Sequence, residues 1–288
     1  MTERKISISR AITNGPVLMF GSAFMFAILG LLIKMMGPDY RVWDIAMYRL
    51  GGGTIVLLAL FGWKQNLFKP QNPKLIIIRG MTGTIAFLAL IAAIRNLPFS
   101  TAMVFFYSFP AFAAIFAPLL FGEKITFYEI VCLMAALIGI GVLFDFQIQG
   151  SLFGQCMGVL GAMFAGFTVS IIKKLRPTHS SVIIYFYFCL IGTAVCFWPY
   201  MTAPRTPATA NDWLIVAGIL ITSVGAQLLM NMGFRYCKSW EGGLFMTSEL
   251  IFSTVIGILF LGDIASWRFW IGGLLIFGSV AAFKLQHR

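Results

Sequence analysis

Residues 105–123 read FFYSFPAFAAIFAPLLFGE, and residues 245–263 read FMTSELIFSTVIGILFLGD. At an offset of 140 residues the two stretches align without a gap. The equivalent pairs are Phe105/Phe245, Ser108/Ser248, Gly122/Gly262 and Glu123/Asp263, with Arg95/Arg235 upstream. A second match, at an offset of 138, joins Met25-Phe26-Ala27 to Met163-Phe164-Ala165. These matches predict two related halves, residues 1–145 and 146–288, although chance similarity between phenylalanine-rich segments is the alternative.

The composition around this repeat is that of a membrane protein. Of the 288 residues, 59% are hydrophobic and 11% are charged, against about 25% charged in a soluble domain. The net charge of +11 raises the question of nucleic-acid binding, but such proteins gather basic residues on one polar face. Here the basic residues punctuate apolar runs, so the partners predicted are a lipid bilayer and a small-molecule substrate, and no nucleic acid.

Ten apolar runs are each about long enough to cross a bilayer, which takes roughly 20 residues as a helix. They are continuous and lack the alternation typical of barrel strands, so an all-α polytopic membrane protein is predicted. The predicted transmembrane spans are residues 15–36, 43–63, 74–94, 99–121, 126–144, 151–173, 181–200, 212–233, 241–261 and 266–284.

The basic residues also predict an orientation. With a cytoplasmic N-terminus, 15 of the 21 lysines and arginines fall on the cytoplasmic side, as the positive-inside rule requires. An even number of spans then places both termini in the cytoplasm, in the cytoplasmic (inner) membrane. Five spans in each half force the second half to enter the membrane inverted, an arrangement typical of secondary transporters.

Short motifs in the two halves resemble the EamA-type module of the drug/metabolite transporter superfamily. In the first half they are AIRNLP at 93–98, SFP at 108–110, FGEKI at 121–125 and GIGV at 139–142. In the second half they are GFR at 233–235, SEL at 248–250 and LGD at 261–263, a looser copy with Leu250 in place of Pro110. The resemblance implies ten spans in two inverted repeats around a central cavity. It also implies an amphipathic substrate such as an amino acid, a nucleobase or S-adenosylmethionine.

Glu249 is the sharpest candidate for a functional residue, because it is the carboxylate nearest the middle of a predicted span. A charge at that depth costs about 2.5–3.5 kcal/mol on insertion scales, so it is expected to face a cavity or a partner. The pattern predicts a substrate-binding and proton-coupling carboxylate. A protonated glutamic acid that hydrogen-bonds between helices is the alternative.

Other polar residues are predicted to bind substrate. Ser223, Gln227 and Asn231 recur every four residues and therefore share one face of span eight, where interhelical hydrogen bonding is the alternative role. Tyr107 and Ser108 precede Pro110, which permits a kink in span four. Tyr107 could stack on a ligand or simply pack.

Two arginines lie one or two turns inside their spans. Arg49 matches the second-span arginine of the resembling family and is predicted to attract an anionic group or to pair with Asp44. For Arg79 the expectation is snorkelling to the headgroups. Glu123 and Asp263 close their spans beside a glycine and are interpreted as helix ends or gate contacts.

Small residues are predicted to bring helices close together. They are Gly51–Gly53 in span two and Gly154, Gly158, Gly161 and Gly166 in span six.

No catalytic, metal or cofactor site is predicted. His179 and His287 are isolated, and the five cysteines are scattered and odd in number, so neither a metal cluster nor a disulfide framework is visible. No lysine follows the glycines in the spacing of a phosphate-binding loop. The sequence therefore predicts a secondary carrier, a monomer or weak dimer, that works by alternating access. A non-transporting membrane scaffold or an intramembrane enzyme is the alternative.

Overall fold

The computed structural model describes residues 15–37, 39–97, 99–143, 151–261 and 267–286, without the side chains of residues 99, 100, 261 and 283–286. The described secondary structure is entirely helical. The helices are α1 Gly15–Met35, α2 Val42–Phe61, α3 Pro73–Asn96, α4 Phe99–Phe106, α5 Phe109–Phe121, α6 Phe127–Leu143, α7 Leu152–Leu175, α8 Ser181–Met201, α9 Ala210–Gly233, α10 Ser239–Met246, α11 Ser248–Leu261 and α12 Trp267–Gln286. The predicted boundary at 145/146 and the predicted gate residue Asp263 lie outside the described residues.

Eight segments are long and apolar enough to cross a membrane, and two of these combine a broken pair of helices, α4 with α5 and α10 with α11. The shorter apolar helices Phe127–Leu143 and Trp267–Ala282 occupy the places of the predicted fifth and tenth spans. Large apolar side chains on the outside, such as Leu119, Phe127 and Leu274, are about three-quarters or more exposed, as a lipid-facing surface requires. The prediction of an all-α polytopic membrane protein is confirmed.

Helix packing follows the repeat. The most extensive contacts join α3 to α7 and α1 to α9. The repeat relates these two pairs, because α3 corresponds to α9 and α7 corresponds to α1. The contact of α5 with α7 has its counterpart in that of α11 with α1. The pairs α2/α8 and α6/α12 each map onto themselves. Helices related by the repeat therefore occupy equivalent places in the packing of the described residues.

Hydrogen bonds near the helix ends identify two sides of the bundle. On the side where α1 begins, called the N side below, the Asn72 backbone N–H donates to His179 Nε2 at 3.3 Å. On the opposite side, called the far side, Arg41 Nη2 donates to the Tyr200 carbonyl at 3.1 Å. Each bond joins a loop to a loop or helix end on the same side of the bundle.

The fourth and ninth spans are interrupted at equivalent positions. Ser108 Oγ donates to the Phe105 carbonyl at 2.6 Å, and Ser248 Oγ donates to the Phe245 carbonyl at 2.7 Å. The hydroxyls thereby add a hydrogen bond to a carbonyl at the end of each broken helix. Pro110, in the first turn of α5, lacks the N–H that a continuous helix would need. Both breaks lie near the middle of their spans.

Glycines allow the closest helix contacts, as predicted for span six. A Cβ added to Gly166 would lie 2.7 Å from the Phe109 carbonyl oxygen, and one added to Gly158 would lie 2.8 Å from Phe105 Cβ. Such distances are shorter than van der Waals contact, so a larger residue would force α7 away from α4 and α5. This tight packing holds α7 against the broken span.

Candidate functional site

Side chains from four parts of the fold converge at mid-depth. Arg49 comes from α2, Tyr107 from the break between α4 and α5, Ser223 from α9 and Glu249 from the first turn of α11. Tyr185, near the start of α8, completes the cluster. Sequence reasoning placed the first four among the substrate-binding candidates, and the structure brings all of them together.

Arg49 is held in position from one edge of its guanidinium. Nε donates to Ser223 Oγ at 2.9 Å, and the Tyr185 hydroxyl lies 3.0 Å from the same oxygen. The guanidinium carbon lies 5.2 Å from the ring centre of Phe87 and 5.8 Å from that of Phe26, within cation–π range. No other hydrogen bond joins this guanidinium to the described residues, so its Nη atoms are available to a ligand. Pairing with Asp44 is not observed, because Asp44 bonds Arg41 instead.

Glu249 faces the interior of the bundle. Its carboxyl group lies near the Tyr107 hydroxyl and within electrostatic range of Arg49. Ser248 and Leu250, its neighbours in the chain, are buried, whereas Glu249 retains part of its accessible surface. No direct ion pair joins Glu249 to Arg49 in the part of the chain that the structure describes. A guanidinium and a carboxyl group thus lie in the same part of the bundle without a direct ion pair between them.

The three polar residues predicted on α9 have different surroundings. Ser223 is fully buried and bonds Arg49. Gln227 is buried, and its Oε1 has no partner among the described residues. Asn231 Nδ2 donates to the Ser181 carbonyl at 3.3 Å, while Oδ1 is unpaired. Asn231 thus makes an interhelical hydrogen bond to the start of α8, and Gln227 keeps a free acceptor one turn from Ser223.

Ser108 uses its hydroxyl proton to bond the Phe105 carbonyl at the helix break. It remains partly exposed, so only its oxygen lone pairs are available to a ligand.

The expectation that Arg79 snorkels is wrong. Its side chain is only 2% exposed, and its guanidinium carbon lies 4.6 Å from the ring centre of Phe188. A Cβ added to Gly83 would lie 2.6 Å from Arg79 Nη1, which places the guanidinium one turn further along α3, away from the N-side membrane surface. Hydropathy indicates the depth of a residue but not the direction in which its side chain points.

The two halves are joined on the N side. Glu123, which follows α5, accepts hydrogen bonds from the Ser239 hydroxyl at 2.7 Å and the Ser239 backbone N–H at 2.9 Å. Lys238 forms an ion pair of 2.7 Å with Glu129. Glu123 thereby caps α10 and links the two halves, while its role as a gate contact stays a prediction. Helices α5 and α10 also pack together there, whereas their far-side counterparts α11 and α4 make no comparable contact between described residues.

Sequence reasoning missed Tyr185 as a functional candidate. It is fully buried, one turn inside α8, and its hydroxyl bonds Ser223. A tyrosine among many aromatic residues gave no distinguishing signal, because its importance comes from its neighbours on other helices. Within the described residues no group of histidine, cysteine and acidic side chains could hold a metal ion.

Comparisons with known proteins agree with this architecture. The chain is 22% identical over 264 residues to the pseudopaline exporter CntI of Pseudomonas aeruginosa, covering 91% of this chain and 93% of that protein. It is 21% identical to human solute carrier family 35 member G1, covering 88% of this chain and 74% of that protein. A solved crystal structure superposes with a TM-score of 0.81 at 18% identity, over 94% of this chain and 96% of the other.

The family comparison detects both halves of the repeat. The model of the EamA-like transporter family matches twice, at residues 13–144 and at residues 152–284. Together the two matches cover nearly the whole chain, one in each half. The chain therefore belongs to the EamA-like transporter family, within the drug/metabolite transporter superfamily.

Proposed function

We propose that this protein is a secondary carrier that exports a small zwitterionic metabolite resembling an amino acid. The observation that carries the proposal is the placement of a guanidinium, Arg49, and a carboxyl group, Glu249, in the same part of the bundle with no direct ion pair between them among the described residues. An amino acid presents the complementary pair, a carboxylate and an ammonium group. Of the substrate classes that the sequence left open, a neutral nucleobase fits least well, because it has no charged group to pair with Arg49 or Glu249.

Each charge has a distinct task in this proposal. The free Nη atoms of Arg49 receive the substrate carboxylate, since a guanidinium forms paired hydrogen bonds with two carboxylate oxygens. Ser223 holds the opposite edge of that guanidinium and keeps it oriented. Glu249 receives the ammonium group, and the rings of Phe26 and Phe87, which flank Arg49, offer apolar surface to the rest of the molecule.

Glu249 also offers a means of coupling. When the substrate is absent, a proton on Glu249 removes the cost of a carboxylate charge at this depth. Arrival of the ammonium group favours the ionised carboxylate, so the proton leaves as the substrate binds. Exchange of one for the other during alternating access would couple export to the proton gradient, with the Tyr107 hydroxyl as the partner of both forms.

The membrane orientation is proposed on the distribution of basic residues. With the N side in the cytoplasm, the spans predicted from the sequence assign 14 of the 21 lysines and arginines to that side, not counting the buried Arg79. The contacts of Glu123 and Lys238 then close the cytoplasmic face. A carrier that rocks one inverted repeat against the other would break these contacts to admit its substrate.

Counterflow in proteoliposomes tests the proposal. Vesicles holding the purified protein are preloaded with unlabelled L-amino acids, and uptake of a radiolabelled mixture is followed for wild type, Arg49→Gln and Arg95→Gln. Hydrogen bonds to a charged group contribute about 1.5–3 kcal/mol, so Arg49→Gln should lower substrate affinity at least about tenfold. Arg95 is exposed at the end of α3, which makes Arg95→Gln a matched control with wild-type counterflow.

Two results would contradict the proposal. Absence of counterflow with every amino acid in wild-type vesicles would remove the substrate class, and would favour a scaffold if other metabolites also failed. Equal counterflow by Arg49→Gln and Arg95→Gln would remove Arg49 from the binding site.

A further inference from the structure

We infer that Arg79 is a second anion-binding site, built to receive a carboxylate group in the interior of the bundle. The inference adds a subsite to the proposed function and rests on it only for the identity of the molecule that bears the group. Neither the family match nor the relatives assign a role to this residue.

The guanidinium of Arg79 is buried without sufficient partners. Nε and Nη1 have no hydrogen-bond partner among the described residues, although only 2% of the residue is exposed. The nearby ring of Phe188 is its main favourable contact, and a cation–π contact offsets only part of the cost of a buried ion. Buried polar groups are normally hydrogen-bonded, so these two nitrogens indicate a ligand that supplies acceptors.

The site adjoins the cluster that surrounds Arg49. Tyr185, whose hydroxyl bonds the Ser223 that holds Arg49, and Phe188, whose ring lies against Arg79, are one turn apart on α8. The two guanidinium groups therefore border the same face of α8. One substrate molecule with two acidic groups could reach both.

The balance of charge supports an anion. Near mid-depth, the described charged side chains of this region are Arg49, Arg79 and Glu249, two cations against one carboxylate. Glu249 interacts with Arg49 and Tyr107, which leaves the charge of Arg79 without a carboxylate among the described residues. An acidic group from solution would neutralise it.

Gly83 keeps the space for the guanidinium. It lies on the same helix as Arg79, one turn further on, and an added Cβ would come within 2.6 Å of Nη1 and 3.1 Å of the Phe188 ring. Gly83→Ala should therefore displace the guanidinium while leaving its charge in the bundle. It complements Arg79→Met, which removes the charge and leaves a flexible apolar side chain of similar length.

Ligand-induced thermal stabilisation of the purified protein tests the inference. Titrations compare L-aspartate, L-glutamate and L-2-aminoadipate with the amide of each, because acid and amide differ only in the second acidic group. Because a hydrogen bond to a charged group strengthens binding, wild type should bind the best-fitting acid about 10- to 100-fold more tightly than its amide. In Arg79→Met that preference should fall to about one while binding of the amides is unchanged. Gly83→Ala should lower it in the same direction.

A parallel titration with sodium acetate separates a substrate group from a free anion. Stabilisation by acetate in wild type and Arg49→Met, but not in Arg79→Met, would support the anion site even if no amino acid bound. In that case the zwitterion proposal alone would fail. An acid preference that persists in Arg79→Met, or acetate and acid responses identical in wild type and Arg79→Met, would overturn the inference. If Arg79→Met failed to fold, the same comparisons with Gly83→Ala would decide.

Discussion

Ser223→Ala should destabilise the protein by orphaning Arg49. Ser223 is fully buried, and its Oγ accepts the hydrogen bond from Arg49 Nε at 2.9 Å. The Tyr185 hydroxyl also loses a partner 3.0 Å away. Leaving a buried donor unsatisfied costs about 1–3 kcal/mol, and the better helix propensity of alanine returns at most about 0.5 kcal/mol. The expected net loss in the free energy of unfolding is about 1–2 kcal/mol.

Equilibrium unfolding in detergent micelles measures this loss, and the neighbouring residue supplies a matched control. Thr222 Oγ1 donates to the Gly218 carbonyl of its own helix at 2.7 Å, so Thr222→Ala removes a hydroxyl without orphaning a charge. That change should stay within about 0.5 kcal/mol of wild type.

A double-mutant cycle with Arg49→Met isolates the interaction. In the Arg49→Met background most of the cost of Ser223→Ala should disappear. Equal losses for Ser223→Ala and Thr222→Ala, or an undiminished loss in the Arg49→Met background, would refute the role given to Ser223.

Three further predictions concern packing, gating and pH. Gly272→Ala should destabilise the α6/α12 contact by about 1–3 kcal/mol, because its Cβ would lie 2.6 Å from the Gly139 carbonyl oxygen. A Cβ added to Gly273 meets open space, so Gly273→Ala should leave the stability unchanged. Equal unfolding curves for the two variants would contradict this prediction. Glu123→Gln weakens the cap on α10 and should speed maleimide labelling of buried Cys237 in a Cys156→Ser background, and an unchanged rate would count against the N-side gate. Burial lowers the pKa of His179 below its usual 6.5, so the folded form binds fewer protons and stability should fall as the pH drops below about 6.5. His179→Gln should flatten that fall in thermal-unfolding scans between pH 7.5 and 5, and an unchanged slope would refute the assignment.

The architecture could be predicted from the sequence because it depends on features that a single chain displays. Apolar runs report the spans, and the constant offset of the matches in the two halves reports the repeat. Pro110 predicted an interruption of span four. The interruption of span nine has Leu250 in place of that proline, and only the shared serine, Ser248, hinted at it.

The site was predictable in part, for a physical reason. Glu249, Arg49 and Ser223 are polar residues in apolar spans, so their depth alone marks them as needing partners. Which partner each one meets depends on the rotation and packing of neighbouring helices. Asn231 bonds the start of α8, and the side chain of Arg79 points away from the nearer membrane surface. Neither contact can be predicted from a single sequence.

Proton release on substrate binding tests the central claim most directly, since the claim assigns one titrating carboxylate to the ammonium group of the substrate. A saturating amino acid identified by counterflow is added to the purified protein in weakly buffered detergent solution, and the change in pH is recorded. The account predicts release of up to about one proton per bound substrate by wild type, and none by Glu249→Gln that still binds substrate. Binding without proton release in wild type, or equal release by Glu249→Gln, would contradict it.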